Sequence, residues 1–175
     1  MISERYNTLK VEFTEGKFSD YLDSVYSILK SNRLLSLGTI GIKVNSPHLC
    51  SAYYVYDEEF NLYIWTDTNS VHCKDIEKNN LVAINIADTS QKWGSNLRGL
   101  QIRGRAYPLS LLQMLKPAKL YMTRFPLVKK FIKNPKEFNT KFDSKLYKIE
   151  IEWIKLFDEA KFRKEVWKEL AIKRK

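Results

Sequence analysis

The spacing of apolar residues changes after about residue 32, and that change narrows the possible folds more than any other property of the sequence. Before it, Phe18, Leu22, Val25 and Leu29 recur at helical spacing, which predicts an amphipathic helix ending near Asn32. After it, apolar residues come in short runs rich in branched and aromatic side chains, which suit a pleated, half-buried surface. Leu35 to Val44, Ser51 to Tyr56, Leu62 to Thr66, Leu81 to Ala87, Leu97 to Leu109 and Leu146 to Leu156 read as strands. Asp57-Glu58-Glu59-Phe60-Asn61 is a polar return that makes a hairpin of its neighbours. Leu100 and Ile102 alternate with Gln101 and Arg103, and Tyr147, Ile149 and Ile151 share one face. Strand and helix do not alternate regularly, so an antiparallel sheet or barrel is favoured over a doubly wound fold. Closure into a small barrel removes the exposed edges such a sheet would carry.

Helices punctuate this series. Ser70 caps a short one with Asp75-Ile76-Glu77 in its body and Asn79-Asn80 at its end. Further helices are expected over Ser110–Met122, Pro126–Lys133 and Ala160–Lys173. There is no repeat, low-complexity tract or flexible linker, so residues 1–175 are read as one domain.

With 44% hydrophobic and 13% aromatic residues, the chain has enough apolar area to offset the conformational entropy of ordering. No apolar run approaches the roughly 20 residues of a membrane span. Met1-Ile2-Ser3-Glu4-Arg5-Tyr6 carries no secretory signal, and Cys50 and Cys73 show neither a disulfide framework nor metal-ligand spacing. A reducing cytoplasm, without membrane attachment, is the expected setting. Residues 109–175 hold 18 Lys+Arg against 8 Asp+Glu and supply the excess behind the net charge of +10. These lysines interleave with apolar residues, so a solvated basic surface on C-terminal helices is favoured over a nucleic-acid groove.

The sequence lacks a Gly-rich phosphate loop, a nucleophile elbow and a Cys/His metal cluster. With His48 and His72 as its histidines, a metal site would need carboxylates from scattered positions, and none is expected. The informative segment is Trp65-Thr66-Asp67-Thr68-Asn69-Ser70-Val71-His72, which leaves a strand, turns and enters a helix. A helix start offers unpaired N–H groups and partial positive charge to a phosphate. Thr66 and Ser70 add hydroxyls, and His72 adds a further donor if protonated. A capped helix with a surface histidine is the simpler account of this segment alone.

Its context resembles something more specific. Leu62-Tyr63-Ile64-Trp65-Thr66, then Ser70-Val71-His72, then Asn79-Asn80-Leu81-Val82-Ala83 is similar to the FMN-binding split barrels of the pyridoxamine 5'-phosphate oxidase-like superfamily, with Asn80 where proline is usual. Leu97-Arg98-Gly99-Leu100-Gln101-Ile102-Arg103-Gly104-Arg105-Ala106 resembles that family's strand ending in Gly-basic-Ala. With Tyr121, Arg124-Phe125-Pro126 and the strand Lys148–Asp158, the set most resembles a small bacterial branch, from about Leu35 to Trp167.

The resemblance implies a mainly β fold with flanking helices, a six-stranded antiparallel split β-barrel, working as a homodimer with FMN at the subunit interface. Ser51, Ala52 and Tyr53 would line the flavin, and Trp65 and Thr66 would meet its ring edge and ribityl chain. Ser70, Val71 and His72 would hold the phosphate, with less positive charge than the oxidases, which have arginine and lysine where this chain has Val71 and His72. Gln101, or Gly99 in a shifted register, would reach the flavin from the second subunit, and Phe157 would wall it where the oxidases have tryptophan. Tyr121 and Arg124 weakly resemble a substrate-phosphate pair, with a spacing too short to imply a pyridoxal substrate. Ordinary packing accounts equally well for Tyr53, Trp65, Trp153 and Phe157. The implied function is an FMN-dependent oxidoreductase. The alternative is a non-catalytic flavin or haem carrier, with His48, in an expected Asn45–His48 loop, as the free axial ligand.

Overall fold

A computed structural model describes residues 2–41 and 46–174. In chain order these form β1 (Ile2–Tyr6), β2 (Leu9–Phe13), α1 (Phe18–Ser31), β3 (Leu34–Gly41), β4 (Ser46–Tyr56) and β5 (Asn61–Asp67). Next come α2 (Val71–Lys78), β6 (Leu81–Ala87), β7 (Arg98–Pro108) and α3 (Leu115–Arg124). Two 3-10 turns, Pro126–Lys130 and Pro135–Asn139, lead to β8 (Ser144–Asp158), the single-turn α4 (Glu159–Phe162) and β9 (Trp167–Lys173).

Six strands close on themselves in the order β8-β5-β4-β3-β6-β7 and back to β8, every pairing antiparallel. The strand β8 makes closure possible. Its first half, Ser144–Glu150, pairs with β5, and its last part, Trp153–Phe157, pairs with β9. Its other edge pairs with β7 from Tyr147 to Asp158. Beyond β9 the sheet continues through β2 to β1.

Period-two patterning fills the barrel. Leu35 and Leu37 of β3, Val82, Ile84 and Ile86 of β6, and Leu100 and Ile102 of β7 are buried together with Ile149, Ile151, Ile154 and Leu156 of β8. Helix α1 adds Phe18, Tyr21, Val25, Ile28 and Leu29 to the same core and packs against β6, β7 and β8. The β7–β8 register shifts between Arg103 and Gly104. A Cβ on Gly104 would lie 2.2 Å from the Glu150 carbonyl oxygen, so this bulge requires glycine. A second cluster seals the outside of β4, β5 and β8, where α3 and the 3-10 turns bring Met114, Ala118, Tyr121, Ile132 and Phe138 over Val55, Tyr63 and Leu146.

Several sequence expectations need correction. The terminal helix over Ala160–Lys173 is instead one helical turn followed by β9. Arg163 (φ 84°) and Glu165 (φ 60°) take left-handed backbone that ends the turn, and the alternate residues Leu170 and Ile172 are buried against the open edges of β2 and β8. The strands β1 and β2 precede the helix that was expected to come first. The helix over Ser110–Met122 begins at Leu115 and runs to Arg124, and Pro126–Lys133 is a 3-10 turn ending at Lys130. The strand expected at Ser51 starts at Ser46, so His48 lies in a strand and not in a loop. The end of the Leu35–Val44 run and the start of the Asn45–His48 segment fall outside the described residues.

Most of the C-terminal cations accordingly sit on strands and turns, with Lys116, Lys119 and Arg124 on α3, and several are paired with acids. Lys173 meets Glu12 at 2.8 Å, Lys148 meets Glu150 at 2.7 Å, and Lys168 meets Glu15. No helix among the described residues is long and apolar enough to cross a membrane.

Candidate functional site at the parting of β4 and β5

The strands β4 and β5 are paired from Tyr54↔Ile64 to Tyr56↔Leu62 and then separate. Residues 46–53 of β4 stay with β3, while Trp65, Thr66 and Asp67 follow β8. Helix α2 enters beside this gap and packs against β3 and β4. Ser70 is its N-cap, accepting a hydrogen bond from the Cys73 N–H at 3.4 Å. The Thr39 hydroxyl of β3 donates to Asp75 at 2.8 Å and fixes the body of the helix.

The predicted phosphate residues converge here. Thr66 Oγ1 and Ser70 Oγ lie 2.8 and 3.1 Å from His72 Nε2. His72 is therefore buried and not a surface residue, while Val71 beside it is exposed. Burial first, and the neighbouring His48 second, push the His72 imidazole below its ordinary value of 6.5, outweighing the pull of Asp75 and Asp67. Its neutral form is thereby favoured, so what it offers at neutral pH is a hydrogen bond and not a charge.

The remaining residues divide between two faces. Ala52 points inward against the core, while Ser51 and Tyr53 point outward, Tyr53 being 60% exposed. Registers place Ser51, Ser36, Asn85, Gln101 and Lys155 in one polar row across β4, β3, β6, β7 and β8. In the next row outward, Tyr53 stands beside Leu34, and Gly99 lies between Ala87 and the half-buried Phe157. Ser51 and Gln101 thus share a face but stand three strand spacings apart, about 14 Å. Trp65 is committed to the outer cluster, its indole N–H donating to the Phe138 carbonyl at 2.8 Å and its ring edge-on to Phe138.

Tyr121 and Arg124 are both engaged within the chain. The Tyr121 hydroxyl, buried, donates to the Tyr53 carbonyl at 2.6 Å and accepts from the Trp65 N–H at 2.9 Å. Arg124 donates to the carbonyls of Leu29 and Asn32, where its charge also meets the negative end of α1.

One grouping escaped sequence reasoning. His48 and Cys50 alternate along β4 and share the side that faces α2, where His72 meets them. One ligand atom from each of the three lies within 4.8 Å of the others. The His-x-Cys alternation is a period-two signal, but nothing in sequence links it to a histidine in another element. A separate cleft of about 550 Å³ runs along Gly38, Ile40, Pro47, Ala83 and Trp153 on the outer face, and Thr66, Ser70 and His72 do not line it.

No family model matches the sequence, and no curated protein matches it. Solved structures share its fold. A Clostridium acetobutylicum protein related to general stress protein 26 of B. subtilis, of the pyridoxinephosphate oxidase family, superposes with a TM-score of 0.61 at 14% identity, covering 86% of this chain and 95% of its own. General stress protein 26 of Bacillus anthracis gives 0.58 at 20% identity, covering 78% and 92%. HutZ, the haem storage protein of Vibrio cholerae, gives 0.61 at 15% identity, covering 74% and 89%. The chain shares the split-barrel fold of these structures, the fold that the resemblance of its motifs implied.

Proposed function

We propose that this chain is an FMN-binding flavoprotein, acting as a homodimeric oxidoreductase on a small-molecule substrate. The observation that carries the reading is the junction itself. Two hydroxyls, Thr66 and Ser70, are gathered on His72 at the start of α2, at the gap where β4 and β5 part. A phosphate there would accept from the first N–H groups of α2 and from Ser70, and Thr66 would meet the ribityl chain. Ser51, Ala52 and Tyr53 would border the ring system, with Trp65 at its edge. The isoalloxazine supplies the electron chemistry when bound, and the chain binds, orients and shields it.

The dimer has a physical motive. Leu34, Ile40, Leu49, Tyr53 and Leu81 are exposed on the outer sheet face, Leu49 at 70%. Covering such a face with a second copy would remove it from water. It would also bring the Gln101 row and Phe157 of one copy toward Ser51 of the other, a span one subunit leaves open. Haem carriage is the second reading, favoured by two neighbouring histidines at the gap and by the HutZ likeness.

An absorbance spectrum of freshly purified protein tests both. Blue and near-ultraviolet flavin bands, with FMN released on denaturation, are expected; an intense Soret band would favour haem. Excess FMN should also raise the melting temperature, since a ligand at 100 times its Kd contributes about 2.7 kcal/mol. Ser70→Ala should weaken FMN more than riboflavin. Colourless protein whose melting ignores FMN overturns the reading.

A further inference from the structure

We propose that His48, Cys50 and His72 form a binding site for a zinc-class divalent metal ion. One ligand atom from each of the three lies within 4.8 Å of the others. Zinc bonds to nitrogen and sulfur at about 2.0–2.3 Å, which sets neighbouring ligands of a tetrahedron roughly 3–4 Å apart. Small side-chain rotations on three rigidly placed residues close that difference. His48 and Cys50 are fixed by the β3–β4 ladder, opposite Thr39 and Leu37, and His72 by the first turn of a capped helix.

The donor set selects the metal class. Two imidazoles and a thiol suit zinc and its neighbours, whereas magnesium and calcium require oxygen ligands. Thr66 and Ser70 both bond His72 Nε2, so coordination through Nδ1 would leave Nε2 to these outer partners, as in other metal-bound imidazoles. Coordination displaces the Cys50 thiol proton to solvent, so the ion and thiolate leave a net charge of about +1. Three protein ligands leave the fourth position of the tetrahedron for water or an exogenous donor. The site does not depend on flavin, and its test is made without flavin, so either reading can fail alone.

The experiment titrates the chelator-treated, reduced full chain with Co²⁺ as a spectroscopic stand-in for Zn²⁺. Expected are a near-ultraviolet thiolate-to-cobalt band and visible bands of tetrahedral intensity, saturating at one equivalent and abolished by Zn²⁺. Cys50→Ser should remove the near-ultraviolet band, and His48→Asn should weaken binding tenfold or more. Cys73→Ser should retain the band. Zn²⁺ should also raise the melting temperature of the unaltered chain, a readout that does not require the variants to fold. A missing thiolate band, a band that survives Cys50→Ser, or melting indifferent to Zn²⁺ overturns the site.

Discussion

The same two strands, β4 and β5, build two unlike regions on their opposite faces. Outward, Val55 and Tyr63 lie under α3 and the 3-10 turns, sealed by Phe138, Ile132 and Tyr121. Inward, at the gap, His48, Cys50, Thr66 and His72 face one another beside Ser70. Both contain polar atoms, but they are satisfied differently. In the outer region the Tyr121 hydroxyl and the Trp65 indole bond to main-chain groups, partners that cannot leave. At the gap, side chains bond to side chains, and a ligand can take over such contacts without unmaking a strand. A buried tyrosine tied to backbone is therefore a rivet, while a histidine held by two hydroxyls is an exchangeable contact.

The largest test of that contrast is Phe138→Ala. Phe138 is fully buried and carries no chemistry, so its truncation should cost about 3–5 kcal/mol in denaturant unfolding while leaving ligand affinity of the folded protein nearly unchanged. Next is Tyr121→Phe, which keeps the ring but strips the Trp65 N–H of its partner. A loss of about 1–3 kcal/mol is expected, again with little effect on binding. If Tyr121→Phe instead abolished FMN binding with stability intact, the division between the two faces would be wrong.

The smallest expected effect is a pH dependence from the gap. The folded His72 pKa lies below the unfolded value of 6.5, so unfolding takes up a proton in the interval between them. The associated stability is fully present above about pH 6.5 and is lost as pH falls through 6.5 toward the folded value. Melting temperatures across this interval should fall toward acid in the parent chain. In His72→Gln the slope should flatten; a parent slope that persists there would show that His72 is not its source.

The contrast also explains what could be read from sequence. The α2 cap at Ser70, the period of α1 and the inward residues Leu100 and Ile102 of β7 were legible because each signal is local. The strand β9 was hidden because Lys161, Lys164 and Lys168 recur at helical spacing into its first residues, and one of the two edges that select a strand lies far off in β2. In β2 the alternation of Leu9, Val11 and Phe13 was present, but over only five residues, with Asn7-Thr8 in place of an Asn-Gly pair at its hairpin turn. The aromatic and hydroxyl residues of the junction were singled out by the order and spacing of motifs that resemble a known family. Neither the burial of His72 nor its proximity to Cys50 could be found that way, since both arise when β4 and β5 separate.

The role of β8 as shared stave bears on how the chain is made. Its partners in β5 and β7 are synthesised dozens of residues earlier, so β3 to β7 must wait with an open edge until the segment 144–158 leaves the ribosome. Such delayed, long-range pairing slows folding and prolongs the time in which apolar strands can meet a neighbouring chain. Damage to this late segment should therefore show first as lost soluble yield from cells, ahead of any defect in the molecules that do mature.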